Sequence, residues 1–170
     1  MRYVAIITAV IGLLAAQMSL LQAFGVTAYS VDLTLLAVLY VAATSPVFGG
    51  FVASVVLGLV SDAFTPGGIL GMNMEIMGIL FLVGRGLAER LQMLHPAPLM
   101  LMVLVGMVTK VLLVFLFSIV FDREFTTSAV MFLNAIPHVL TTALLAPVMI
   151  ALFGWVDRRW RRRRPSHILR

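Results

Sequence analysis

Apolar residues in this chain fall into long unbroken runs separated by short polar or proline- and glycine-rich breaks. The runs do not alternate, and they are too long for the roughly ten-residue alternating strands of a membrane barrel, so they read as helices. Six helices are expected, over residues 3–24, 29–44, 47–63, 69–84, 99–121 and 129–156. Ser45-Pro46 ends the second, because the residue before a proline avoids the α region. Thr65-Pro66-Gly67-Gly68 is a turn by composition. A more polar stretch with Glu89, Arg90 and His95 separates the fourth helix from the fifth, and residues 122–127 form a polar loop. The first run exceeds the roughly 7–15 apolar residues of a signal peptide and is followed by others, so it reads as an uncleaved helix. The second is short for a membrane crossing, which takes about 20 residues.

Composition changes the solvent. Of 170 residues, 62% are hydrophobic and 11% charged, and the mean hydropathy is +1.10. A soluble domain is about half apolar and roughly a quarter charged. A water-soluble fold of this length would leave much of that apolar surface in water, whereas lipid removes the conflict and helices satisfy the backbone inside it. The expected fold is an all-α integral membrane protein, a six-helix transmembrane bundle over residues 1–156 followed by a basic tail over residues 157–170. The absence of cysteine excludes disulfides, thiolate catalysis and cysteine metal sites.

The net charge of +5 is concentrated in Arg158, Arg159, Arg161, Arg162, Arg163 and Arg164, beyond the last apolar run. Such a cluster orients a membrane helix and attracts anionic lipid headgroups. No nucleic-acid-binding fold accompanies it. With six crossings, Arg2, Arg85, Arg90 and the arginine tail fall on one side, and Asp32, Asp62 and the 122–124 loop on the other. The excess of basic residues marks the cytoplasmic side, so both termini are expected there, with Trp155 and Trp160 at the headgroup level.

Four groups could carry function. Gly50, Ser54, Gly58 and Asp62 are spaced by four and share one helix face, along which another helix can approach closely. That stripe reads first as packing within the bundle and second as a docking face for a partner helix. Asp62 precedes the turn and can brace its backbone N–H groups. Glu75 and Lys110 lie about halfway along their runs and are expected to pair with each other or to find polar neighbours, since an unpaired charge in lipid is costly. Asn134 and His138, four apart around Pro137 and close to Thr141 and Thr142, read as a satisfied polar patch at a kink. Neither they nor any other group has metal-ligand spacing. No phosphate loop, zinc motif or Ser–His–Asp set is present, so an enzyme is not expected, nor a cofactor or metal.

The stretch from Val31 to Gly71 resembles a known family. It runs Val31-Asp32-Leu33-Thr34-Leu35-Leu36-Ala37-Val38-Leu39-Tyr40, breaks at Pro46, and continues through Gly50, Gly58-Leu59-Val60-Ser61-Asp62, Gly67-Gly68 and Leu70-Gly71. This is similar to MreD, the rod shape-determining membrane proteins of bacteria. Leu39-Tyr40, Gly58 with Asp62, and Leu70-Gly71 match that pattern, while Val31 stands where the family carries proline. The resemblance implies a non-enzymatic scaffold of the inner membrane. It would bind MreC within an assembly that includes MreB, RodA and a class B penicillin-binding protein, and regulate peptidoglycan synthesis and cell shape. It also implies the six-helix fold of the substrate-binding subunits of energy-coupling-factor vitamin transporters, which supplies the alternative function. On the scaffold reading, the surface for the partner's helix is expected at Gly50, Ser54, Gly58, Asp62, Gly67, Gly68 and Gly71.

Overall fold

The structure is a computed structural model that describes residues 2–24, 31–64, 71–90, 96–121 and 128–161. Among them are six helices: α1 (Arg2–Phe24), α2 (Leu33–Thr44), α3 (Val47–Phe64), α4 (Met72–Arg90), α5 (Pro96–Phe121) and α6 (Ser128–Arg161). Val47–Phe64, Met100–Phe117 and Val139–Arg159 are long and apolar enough to cross a membrane.

Local chemistry sets the ends of α2. Asp32 is its N-cap, with a side-chain oxygen accepting the Leu35 N–H. At the other end the Ser45 N–H donates to Val41 O, and Ser45 itself turns extended at φ −114 and ψ 154, as the following Pro46 demands. The helix is apolar on every face, a composition that belongs in an interior. Residues 33–42 are all buried.

The other helices arrange themselves around it. α2 packs on all five, and these form a closed ring in the order α1, α3, α4, α5, α6 and back to α1. Glycine makes room at the centre: Gly84 of α4 and Gly106 of α5 both lie against the Leu39 side chain. Phe81 and Phe153 are fully buried, and Phe153 meets Tyr40 at a ring separation of 6.0 Å. Large apolar side chains cover the outside of the ring, among them Leu104, Val108, Leu112 and Leu116 on α5. A band of this extent requires an apolar covering.

At 12 residues, α2 is about 18 Å long, against the roughly 30 Å hydrocarbon thickness of a bilayer. Its C-terminus lies at the end of the bundle where α1 begins and α6 finishes, since Tyr40 reaches Asp157 and Arg85 reaches Ser45 O. Its N-terminus therefore lies level with the middle of α5 and α6, where Lys110 and Thr142 meet Asp32.

Several boundaries differ from the sequence expectation. α4 begins at Met72 rather than 69, directly after Gly71, whose φ of +99 is the left-handed conformation glycine accommodates. It continues beyond Gly84 to Arg90, with Arg85 and Glu89 paired at i,i+4 along the added turns. α5 begins at Pro96, a residue suited to the first turn of a helix. α6 runs on to Arg161, so residues 157–161 are helix rather than tail, and Asp157 is buried. Residues 162–170 lie outside the described part.

Candidate functional site

The main polar constellation is built on the first residue before α2. The backbone places Asp32 at the positive end of the helix dipole, which favours a carboxylate. Lys110 Nζ of α5 donates to its Oδ2, and the Leu35 N–H donates to its Oδ1 at 3.0 Å. The backbone N–H of Asp32 donates to Thr142 Oγ1 of α6 at 3.1 Å. Gln17 of α1 donates from Nε2 to Val31 O at 2.9 Å. Asp32 and Thr142 are buried, and the Lys110 side chain is 19% exposed. One buried residue thus joins three helices, its carboxylate linking α2 to α5 and its backbone N–H reaching α6, and its charge is matched by lysine and helix dipole together.

The opposite end of α2 is tied as well. Arg85 Nη1 donates to Ser45 O at 2.8 Å and to Ala42 O at 3.3 Å, filling carbonyls that the end of a helix leaves open. Its Nε donates to Glu89 Oε1 at 2.7 Å. Tyr40 donates its hydroxyl to Asp157 Oδ2 at 3.3 Å.

Of the two outcomes expected for Glu75 and Lys110, mutual pairing does not occur, and Lys110 instead finds a polar neighbour. Because α4 starts at Met72, Glu75 falls in its first turn, where it is exposed and its negative charge suits the helix N-terminus. Lys110 spends its ammonium on Asp32 instead.

Asp62 braces the start of α4, while residues 65–70 of the expected turn lie outside the described part. Its Oδ2 accepts from the N–H groups of Gly71 (3.0 Å) and Met74 (3.3 Å), and its Oδ1 from that of Asn73 (3.1 Å). These are among the orphan donors of the α4 N-terminus. The approach depends on Gly58: a Cβ there would lie 2.5 Å from Asn73 O and 2.6 Å from Met74 Cα.

Of the two readings of the α3 stripe, the structure shows the first, packing within the bundle, and leaves no open face there for the second. Gly50, Ser54, Gly58 and Asp62 are all buried. Gly50 lies under the Phe81 ring of α4, and Ser54 donates back to Gly50 O at 2.9 Å. Small residues bring α3 and α4 together, and that contact uses up the face expected for a partner. Gly71 donates its N–H to Asp62 and accepts from the Glu75 N–H, while Gly67 and Gly68 lie outside the described residues. Asn134 and His138 are on α6, but their side chains also lie outside the described part.

Gly58→Ala is expected to destabilise the detergent-solubilised protein by roughly 1–2 kcal/mol, since overpacking costs about 1–3 kcal/mol and exceeds the helix-propensity gain. Gly12→Ala on α1, where a Cβ meets nothing within 4 Å, is the control. It should leave the thermal midpoint unchanged or raise it; a similar loss from both changes would refute the close α3–α4 approach.

Compared with known proteins, the chain matches no family model, no curated protein and no solved structure.

The polar side chains described above hold helices to one another. Among the described residues, no group of three or more His, Cys, Asp or Glu could hold a metal ion. One surface of small side chains is left open: Thr8, Gly12, Ala15, Ala16 and Ser19 are all exposed along α1. Sequence reasoning puts Asp32 on one side of the membrane and assigns it no partner. The available signal is an Asp directly before an apolar run too short to cross a membrane, which marks an N-cap at depth.

Proposed function

We propose that this chain is a non-enzymatic, MreD-like scaffold of a bacterial cytoplasmic membrane, with six crossings, both termini cytoplasmic, and the six-helix fold of energy-coupling-factor substrate-binding subunits. It would take the transmembrane helix of MreC and act with MreB, RodA and a class B penicillin-binding protein to regulate peptidoglycan synthesis and cell shape. The observation that carries this reading is the sequence pattern Leu39-Tyr40, Gly58 with Asp62, and Gly71. Its residues have physical roles that a scaffold would need: Tyr40 ties α2 to α6, Gly58 admits the start of α4, and Asp62 holds Gly71.

With the α3 stripe buried, the docking face moves to α1, where small exposed residues let a partner backbone approach closely. Gly12→Leu should leave folding intact, because the position faces open space. It should reduce co-purification with tagged MreC by roughly tenfold, the effect of about 1.4 kcal/mol, and round the cells of a rod-shaped host that depends on this chain. Undiminished capture by the Gly12→Leu chain would remove α1 as the face. Failure of the unaltered chain to capture MreC would remove the scaffold role.

The alternative is a membrane subunit that captures a small molecule for transport. The polar group at mid-depth, Gln17, Asp32, Lys110 and Thr142, is the feature that favours it. Unchanged rods with loss of vitamin uptake after depletion would decide for that role.

A further inference from the structure

The exposed positions of α6 form one broad face, which includes Leu140, Leu145, Pro147 and Ala151. Within it, Leu144, Val148, Leu152, Trp155 and Arg159 follow one another at spacings of three or four, which sets them in a line along the helix. Leu144 is 74% exposed, Val148 61% and Trp155 52%, so the apolar part of the line is open. The order along it is aliphatic, then aromatic, then cationic. The Arg159 guanidinium sits over the Trp155 ring at 5.4 Å, and Arg158 is exposed beside it.

The nearest acid does not neutralise these arginines. Asp157 turns inward to Tyr40 and is buried. Among the described residues, no carboxylate forms an ion pair with Arg158 or Arg159. From Leu144 to Arg159 the helix rises about 22 Å. One bilayer leaflet with its headgroups measures roughly 20–22 Å. The line thus matches a phospholipid in both length and sequence of chemistry.

We propose that this face of α6 is a seat for an anionic phospholipid. The acyl chains lie on Leu144, Val148 and Leu152, the ester region lies beside Trp155, and the phosphate is held by Arg158 and Arg159. Orienting a membrane helix needs only basic residues within about 15–20 positions of its end. It does not need one of them stacked on an aromatic, with a second exposed beside it, at the end of an apolar face of lipid length. The inference rests on the membrane placement proposed above and is independent of the scaffold role.

Trp155 reports on the seat directly, because the chain has two tryptophans and Trp160→Phe leaves Trp155 alone. The full-length Trp160→Phe chain is reconstituted in phosphatidylcholine vesicles carrying a minor fraction of brominated phosphatidylglycerol or, separately, of brominated phosphatidylcholine. Bromine quenches indole fluorescence on contact. Brominated phosphatidylglycerol should quench several-fold more strongly, since each arginine near the surface is worth roughly fivefold in preference for anionic lipid. Changing both arginines to glutamine should remove the excess, and changing both to lysine should keep most of it. Soluble glycerol phosphate should not compete. Equal quenching by the two lipids, or competition by soluble phosphate, overturns the lipid seat and leaves the membrane placement standing. An excess that survives Arg158→Gln with Arg159→Gln overturns the assignment to those two residues. No quenching by either lipid overturns the membrane placement itself.

Discussion

Asp32→Ala is expected to be among the most destabilising single changes in this protein, at about 3–5 kcal/mol, because it strands the Lys110 ammonium in the interior. Loss of the N-cap adds about 1 kcal/mol. Lys110→Met should cost less, since Asp32 keeps the Leu35 N–H and the helix dipole. The informative variant combines Asp32→Asn with Lys110→Met. It removes both charges, retains a capping oxygen and approximates the volumes, so it should return most of the stability that the single changes lose. Unfolding midpoints for the parent, Asp32→Asn, Lys110→Met and the double variant in one detergent provide the cycle. Additive losses in the double variant would mean that the two side chains are not coupled.

The second large effect is expected at Asp62. Alanine there removes the acceptor for three backbone N–H groups at once, those of Gly71, Asn73 and Met74. An unsatisfied donor costs about 1–3 kcal/mol when buried and less where water reaches it. The N-terminus of α4 is part-buried, so the sum should fall near ~3 kcal/mol. Asp62→Asn keeps one acceptor oxygen and should fall between alanine and the parent. Hydrogen exchange adds a readout that a general loss of stability does not mimic. The amides of Gly71, Asn73 and Met74 should exchange faster by a larger factor than those in the middle of α4. A uniform change along α4 would contradict the role given to Asp62.

The six helices were legible because lipid-compatible helices announce themselves as continuous apolar runs, and α2 and α5 end at Thr44 and Phe121, where the runs end. Asp62 was legible for a local reason: an Asp at the end of one helix, nine to twelve residues before the start of the next, has that start's backbone donors within reach. The charge pairing was not legible, since it depended on where α4 starts. A shift from residue 69 to Met72 carries Glu75 from mid-helix to the first turn. Lys110 was singled out as a charge in need of a polar neighbour, and that neighbour lies 78 positions away in sequence, at the start of another helix. The same nonlocality decided the glycine stripe. Spacing shows that Gly50, Ser54 and Gly58 share a face, and only the packed neighbours Phe81, Asn73 and Met74 show that the face is occupied. Asp157 gave no sign of burial because it sits beside arginines in sequence, and its fate is set by Tyr40 on α2.

The ion pair at the start of the short central helix ties it to α5, and Lys110 is the only lysine in the chain. A single 15Nζ label therefore reports on that pair without ambiguity. Solid-state NMR dipolar recoupling between 15Nζ-lysine and 13Cγ-aspartate, with the full chain in lipid bilayers, measures it. A strong coupling at hydrogen-bonding range that vanishes in Asp32→Asn is the expected result. A lysine nitrogen with no nearby aspartate carboxyl carbon, or a coupling that persists in Asp32→Asn, would contradict the placement of α2 at the centre of the bundle.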